Sequence, residues 1–427
     1  MKELRFDAVV IGAGAAGMAA SLSVSKRGFT CALVDREDYM GGILLQCIHN
    51  GFGLQHFGEE LTGPEFALRL EKDVRAAEIP FFSGTTVLSI DSEESGFSLI
   101  LSSAANGVFR ASCASVILAM GSRERNRGNI RIAGDRPAGV FTAGLAQRLI
   151  NIDGYLPGKR AVIIGSGDIG LIMARRLTLS GAKVEAVVEI QPFPSGLTRN
   201  IVQCLNDYSI PLYLSHSTLR IIGRDRVEGV EIAPLENGAP RLEKAFTIDC
   251  DTVLLSVGLV PENELSAHAG ISLNPVTNGA FVDSTLMTSV PGVFACGNVL
   301  HIHDLVDRVA GEASRAGESC ADWLEGARSG KKRAEVPLKA GANIRYTVPS
   351  TIDPESKTTV CLRSMVMLDR GILKIMRGGA EIYKKSLNWV RPGEMISVEI
   401  PAGTLGVAST AGEPFEISLN AAGEGVK

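Results

Sequence analysis

Two glycine fingerprints on a single chain restrict the fold more than any other feature. The first is Val9-Val10-Ile11-Gly12-Ala13-Gly14-Ala15-Ala16-Gly17, a few residues from the start. The second is Val162-Ile163-Ile164-Gly165-Ser166-Gly167-Asp168-Ile169-Gly170. Each follows an apolar, β-branched run that reads as a buried parallel strand, and each opens an Ala/Leu/Met-rich stretch that reads as a helix. The first glycine permits the tight turn, the second lets the backbone approach a pyrophosphate, and the third lets helix pack on strand. The helix N-terminus then faces the phosphates with unpaired N–H groups and a positive dipole end. A later glycine, Gly28 or Gly181, and a further strand complete each unit. Two such units imply two nucleotide sites and electrons passing between two cofactors.

The 427 residues suffice for two or three domains, each with its own core. A net charge of −4 offers no basic surface for nucleic acid or an anionic membrane. No apolar run reaches spanning length, so no transmembrane segment is expected. The stretch from Met1 to Asp7 leads straight into the first strand and leaves no room for a signal peptide, which predicts a cytoplasmic protein. None of the eight cysteines is spaced Cys-x-x-Cys, which argues against a zinc site and the simplest redox-disulfide motif.

The first βαβ unit runs from Phe6 to Asp35 and the second from Lys159 to Glu189. Asp35 ends its strand, where a carboxylate can accept both hydroxyls of an adenosine ribose. Leu61 to Ala77 reads as an amphipathic helix. Thr86–Ile90, Phe97–Leu101 and Val108–Arg110 read as a β-meander, and Val116-Ile117-Leu118-Ala119-Met120-Gly121 as a separate buried strand. Asp251 to Gly258 repeats that strand-then-glycine pattern, so the two halves look like duplicates of one design. Leu197 to Tyr208 and about Leu305 to Leu324 read as helices, and Gly326 to Lys332 as a linker. The remainder alternates apolar and polar residues, as in Glu394–Ile400, and reads as a small β domain with nothing catalytic.

At these residues the chain resembles the two-dinucleotide-domain flavoproteins of the pyridine nucleotide-disulfide oxidoreductase superfamily, from about Phe6 to Leu324. The resemblance rests on the two fingerprints, Asp35, Ile117–Gly121 and Val293–Asn298. It implies FAD on the first unit and NAD(P)H on the second. The family's late segment ends Gly-Asp, whereas Asn298 stands here; an amide can still hydrogen-bond a ribityl hydroxyl. Met120 replaces a common threonine. Narrower resemblance lies in Gly41–Leu44, Gln46–Gly53, Glu60–Glu65, Leu197–Asn200 and Cys296–Asp307. These segments resemble flavoproteins encoded beside anaerobic-type glycerol-3-phosphate dehydrogenases. That branch is related to the FAD/NAD-type subunits of amine, proline, opine and cyanide-forming glycine dehydrogenases. The resemblance implies a companion subunit that exchanges electrons with a partner dehydrogenase.

The fold expected is α/β, with two Rossmann-like three-layer domains and a small C-terminal β-rich domain. The FAD domain is discontinuous, residues 1–124 and 280–332, around an NAD(P) domain of residues 125–279; residues 333–427 follow. The cofactor-binding set is Gly12, Gly14, Ala15, Ala16, Gly17, Asp35, Arg36, Gly42, Gln46, Met120, Gly121, Gly297, Asn298 and His301 with Gly165, Gly167, Asp168, Ile169, Gly170, Glu189 and Gly258. Gly181 and Glu189 are eight positions apart against seven for Gly28 and Asp35, so Val188 falls at the usual acid position and Glu189 one beyond. A carboxylate there still repels a 2′-phosphate, and no Arg or Lys stands in Val187–Ile190, so NADH is expected over NADPH. Another adenine nucleotide in that site is the alternative.

Cys47, His49 and His303 are the catalytic candidates. Disulfide reductases of the superfamily carry two cysteines after the ribose acid, but Cys47 is alone, as in the peroxidase and oxidase members. A thiol that only packs near the flavin is the favoured reading. His49 is a possible acid/base, or simply a hydrogen-bonding group. His301, His303, Asp304 and Asp307 form a polar cluster, but no further ligand is specified by spacing, and no metal is expected. The favoured function is an FAD-dependent NAD(P)H oxidoreductase serving a glycerol-3-phosphate or amine-type dehydrogenase. A self-contained NADH oxidase or peroxidase using Cys47, and an FAD-holding subunit without NAD(P)H activity, are the alternatives.

Overall fold

The computed structural model describes residues 3–326, 335–406 and 413–422. The chain divides into two compact units, residues 1–122 with 261–427, and residues 123–260. The first unit begins with β1 (Glu3–Ile11), α1 (Ala15–Lys26) and β2 (Cys31–Val34). Residues Ala8 to Ile11 are buried, which is why the run is apolar on both faces rather than alternating. Next come α2 (Gly63–Ala76), β3 (Phe81–Phe82), β4 (Thr85–Glu93), β5 (Gly96–Ser103) and β6 (Gly107–Leu118). Helix α2 starts at a capping box in which Glu65 accepts the Thr62 N–H at 2.8 Å. The sheet order is β3-β2-β1-β6-β5-β4.

Strand β6 differs from the sequence expectation of two separate strands at 108–110 and 116–121. It is continuous, antiparallel to β5 from Gly107 to Cys113 and parallel to β1 from Arg110 to Leu118. Phe109, Ala111, Cys113 and Ser115 are buried alternately, and Val116 to Leu118 without alternation. The change of pattern marks where the strand passes from a one-sided meander into the two-sided interior of the sheet.

The second unit contains β7 (Val140–Thr142), β8 (Arg160–Ile164), α3 (Asp168–Leu179), β9 (Lys183–Val188), β10 (Leu212–Tyr213) and β11 (Thr252–Leu255). These strands form an all-parallel sheet in the order β7-β11-β8-β9-β10. An antiparallel set at His216–Ile222, Gly229–Glu236 and Phe246–Asp249 joins the same unit.

Residues 261–279, expected with the second nucleotide domain, group with the first unit. Asn263 Nδ2 ties this segment there by donating to Val299 O at 2.7 Å. Strand β12 (Val293–Ala295) then pairs with β6, and α4 (Val306–Gly326) lies on α1. Gly317 allows the two helices to approach, since a Cβ there would sit 2.4 Å from Ala20 O. The expected linker beyond Gly326 and the boundary at 332/333 lie outside the described residues. From Val336 onward a five-stranded and a three-stranded sheet share one core, including Leu338, Val360, Leu362, Leu373, Val398 and Phe415. No helix among the described residues is long and apolar enough to cross a membrane.

Candidate active site

In the first unit four segments converge on the glycine loop. Gly12 has φ +104°, and a Cβ there would lie 2.3 Å from Ala119 O, so the turn admits no side chain. At Gly14 a Cβ would meet nothing within 4 Å, which leaves open the space where a pyrophosphate would lie against the loop. Gly14 is also the N-cap of α1 and supplies no side-chain cap, so the first-turn N–H groups at Ala15, Ala16 and Gly17 face that space. Gly41 bridges to Gly14, and a Cβ on Gly42 would approach Gly14 Cα at 3.3 Å. Gly297 closes the ring, with its hypothetical Cβ 2.9 Å from Ala16 Cβ. Asp35 faces the loop, accepting the Ala13 N–H at 2.6 Å and the Glu37 N–H at 2.9 Å. Gln46 is buried, Arg36 is exposed, and Met120 and Gly121 follow the end of β6. Open space at Gly14, helix N–H groups turned toward it and a carboxylate at the strand end fit an adenine dinucleotide such as FAD.

The second unit repeats this construction bond for bond. Gly12 N–H donates to Val34 O and Gly165 N–H to Val188 O, at 2.8 and 2.7 Å. Ala13 N–H meets Asp35, and Ser166 N–H meets Glu189 at 2.9 Å. Thr85 N–H donates to Asp35 O, and His216 N–H to Glu189 O. Glu189, not Val188, therefore stands at the acid position, which corrects the count made from the sequence. The extra residue is a bulge: Ala161 pairs with Val184 and Val162 with Ala186, so Glu185 is skipped. Glu189 is buried and also accepts from Ser166 Oγ, Ser195 Oγ and Gln191 N–H. Gly165 and Gly170 pack against Ser256, whose Oγ accepts the Gly170 N–H at 3.0 Å. Gly167 caps α3 without a side chain. Asp168 holds Leu197 N–H and Asn200 Nδ2 at 2.8 and 2.7 Å, Ile169 packs against the apolar core of this unit, and Gly258 O accepts the Arg125 N–H.

His301 and His303 come together with a residue that the sequence did not single out. Glu312, on α4, accepts Gly297 N–H at 2.8 Å and His301 Nε2–H at 2.8 Å. Burial alone would raise the Glu312 carboxyl, but His303 and His301 against it hold it well below the usual range. Burial lowers His301, so its ring is neutral and Nε2 carries the donated proton. Asn298 Oδ1 accepts the His303 N–H at 3.0 Å. Asp307 accepts the backbone N–H groups of Gly53, Gln55 and His56, and Asp304 pairs with Arg363. The ligating atoms of His301, His303 and Glu312 lie within 4.8 Å of one another. Among the described residues, His301 Nδ1 has no hydrogen-bond partner. The signal for Glu312 was an acid amid the buried small residues Ala310, Ala313, Ala316 and Gly317 of one helix face. Ser166, Ser195 and Ser256 carried no comparable signal.

Cys47 is half-buried and donates to Ile43 O at 3.3 Å. Burial pushes its thiol up to about 12, so it is protonated at neutral pH. His49 is half-buried against the Phe52 ring, 5.0 Å between centroids. No disulfide joins any of the eight cysteines.

Two glycine loops, each answered by a carboxylate at the end of its second strand, define an oxidoreductase that handles two dinucleotides. The family model for pyridine nucleotide-disulphide oxidoreductases matches residues 6–319, and the chain belongs to that family. It is an oxidoreductase of the class that works with FAD and NAD(P)H. The HcnB subunit of hydrogen cyanide synthase from Pseudomonas aeruginosa is 24% identical over 330 residues, 72% of this chain and 68% of that protein. An opine oxidase subunit of Agrobacterium tumefaciens is 26% identical over 325 residues, 69% of this chain and 61% of that protein. The crystal structure of T. acidophilum thioredoxin reductase superposes with a TM-score of 0.62 at 24% identity, covering 74% of this chain and 98% of that one.

Proposed function

We propose that this chain is the electron-exchange subunit of a dehydrogenase of glycerol-3-phosphate or amine type, with FAD on the first unit and NADH on the second. The observation that carries the reading is the duplicated loop-and-acid bonding, Ala13 to Asp35 and Ser166 to Glu189. Support comes from the shared construction: in each unit the N–H after the first glycine meets an acid placed directly after the second strand. Bound together, the two cofactors supply hydride transfer between nicotinamide C4 and flavin N5. The protein's part is to bind them: helix N-termini for the pyrophosphates, Asp35 and Glu189 for the riboses, and Asn298 for the ribityl chain. Glu189 favours NADH by repelling a 2′-phosphate.

The route onward from the flavin supports a partner. Cys47 is a single, protonated thiol, so the chain lacks the dithiol through which a disulfide reductase passes electrons. HcnB and the opine oxidase relative are each named as one subunit of a larger enzyme. Eight cysteines without a disulfide suit a reducing, cytoplasmic location. The test is an anaerobic titration of the flavin-loaded protein with NADH, then NADPH, following the long-wavelength flavin band. Near-stoichiometric bleaching by NADH is expected. No bleaching by either nucleotide would leave a subunit reduced only by its partner, and would overturn the NADH role.

A further inference from the structure

A cavity of about 270 Å³ lies in the first unit, between α4, the loop that carries His56 and the C-terminal strands. The C-terminal domain contributes Cys361 and Ser397 to its wall, although its sequence carries no catalytic signal. Helix α4 contributes Asp307, Arg308, Gly311, Glu312 and Arg315, which recur on one face at helical spacing.

The charges on that face are unequally used. Both Asp307 oxygens are taken by backbone N–H groups, and both Glu312 oxygens by Gly297 and His301. The guanidinium groups are barely engaged. Arg308 donates to Met395 O at 2.6 Å, and Arg315 only to Gly311 O at 3.4 Å. Neither forms an ion pair among the described residues, yet each carries five N–H donors. His303 lines the same wall with its side chain 1% exposed. Its Nδ1–H donates to His301 O at 3.0 Å, and its Nε2 lies 3.3 Å from Glu312 Oε2. With the Asp307 and Glu312 oxygens already occupied, the two under-used guanidiniums are the charged groups in the wall with donors to spare. A Cβ on Gly311 would meet nothing within 4 Å, so the space is open up to the helix backbone.

We propose that this cavity binds a small anion with a carboxylate or phosphate head, gripped by Arg308 and Arg315. A volume of about 270 Å³ has room for a small organic anion. The C-terminal domain then serves to complete and cover a binding site. This inference does not depend on the electron-exchange role.

The experiment is calorimetric titration of the flavin-loaded full chain with inorganic phosphate and with acetate, at ionic strength held constant with chloride, and with glycerol as the neutral control. Saturable one-to-one binding of at least one anion, and none of glycerol, is expected. Which anion binds tells the phosphate head from the carboxylate. Arg315→Gln weakens binding at least tenfold. Gly311→Leu fills the cavity and abolishes binding, while its better helix propensity keeps the fold, checked by thermal melting. No saturable binding of either anion, or binding that survives both substitutions unchanged, overturns the proposal.

Discussion

Replacing Glu189 by glutamine tests the equivalence of the two units most directly. Glutamine keeps the bulk, and its amide oxygen can take the place of Oε2, which holds Ser166 and Ser195, while its NH2 replaces Oε1 and gives up the Gln191 N–H. The substitution removes one negative charge at the position that a ribose 2′-substituent would reach. A carboxylate and a doubly charged phosphate about 5 Å apart repel by about 3 kcal/mol at an effective permittivity near 40. Relief of that repulsion is worth about 150-fold in relative affinity. NADH itself loses part of one charge-assisted hydrogen bond, about 1 kcal/mol. The preference for NADH over NADPH therefore falls at least a hundredfold in E189Q, read as the ratio of dissociation constants from anaerobic flavin bleaching. A change below threefold would refute the assignment of Glu189 to the acid position, and with it the reading of the Glu185 bulge.

Gly12→Ala forces a Cβ to 2.3 Å from Ala119 O, so the variant should purify without flavin, measured as the flavin-to-protein absorbance ratio. Gly165→Ala meets Ser256 O at 2.1 Å and should keep its flavin while losing bleaching by NADH. Cys47→Ser should leave the stopped-flow rate of flavin reduction unchanged within about twofold, because a thiol pushed up to about 12 supplies no thiolate at neutral pH; a tenfold loss would return Cys47 to the chemistry. Glu312 ionises more readily folded than unfolded, so its stabilisation is present above about pH 4.5 and is lost as pH falls through the depressed folded value. Glu312→Gln should lose about 1–3 kcal/mol at neutral pH, because the amide cannot accept from both the Gly297 N–H and the His301 Nε2–H. Its melting temperature should fall less steeply than that of the wild type on acidification, and parallel curves would count against an ionised Glu312.

Both nucleotide units were legible in the sequence because their demands are local. A tight turn against a neighbouring strand admits only glycine at Gly12 and Gly165, whatever the rest of the chain does. Asp35 was legible for the same reason, being the first residue after a short apolar strand. Glu189 was read one place out of step, because a bulge is a property of two paired strands and leaves no mark in one of them. The junction inside β6 was split for a similar reason: burial on one face or two is set by neighbours, not by the strand itself. The rest belongs to tertiary structure alone. Asp307 meets Gly53 across 254 positions, and Arg308 meets Met395 across 87. Local periodicity marks which face of α4 turns inward, but only packing decides that His303, two arginines and the C-terminal strands enclose the same cavity.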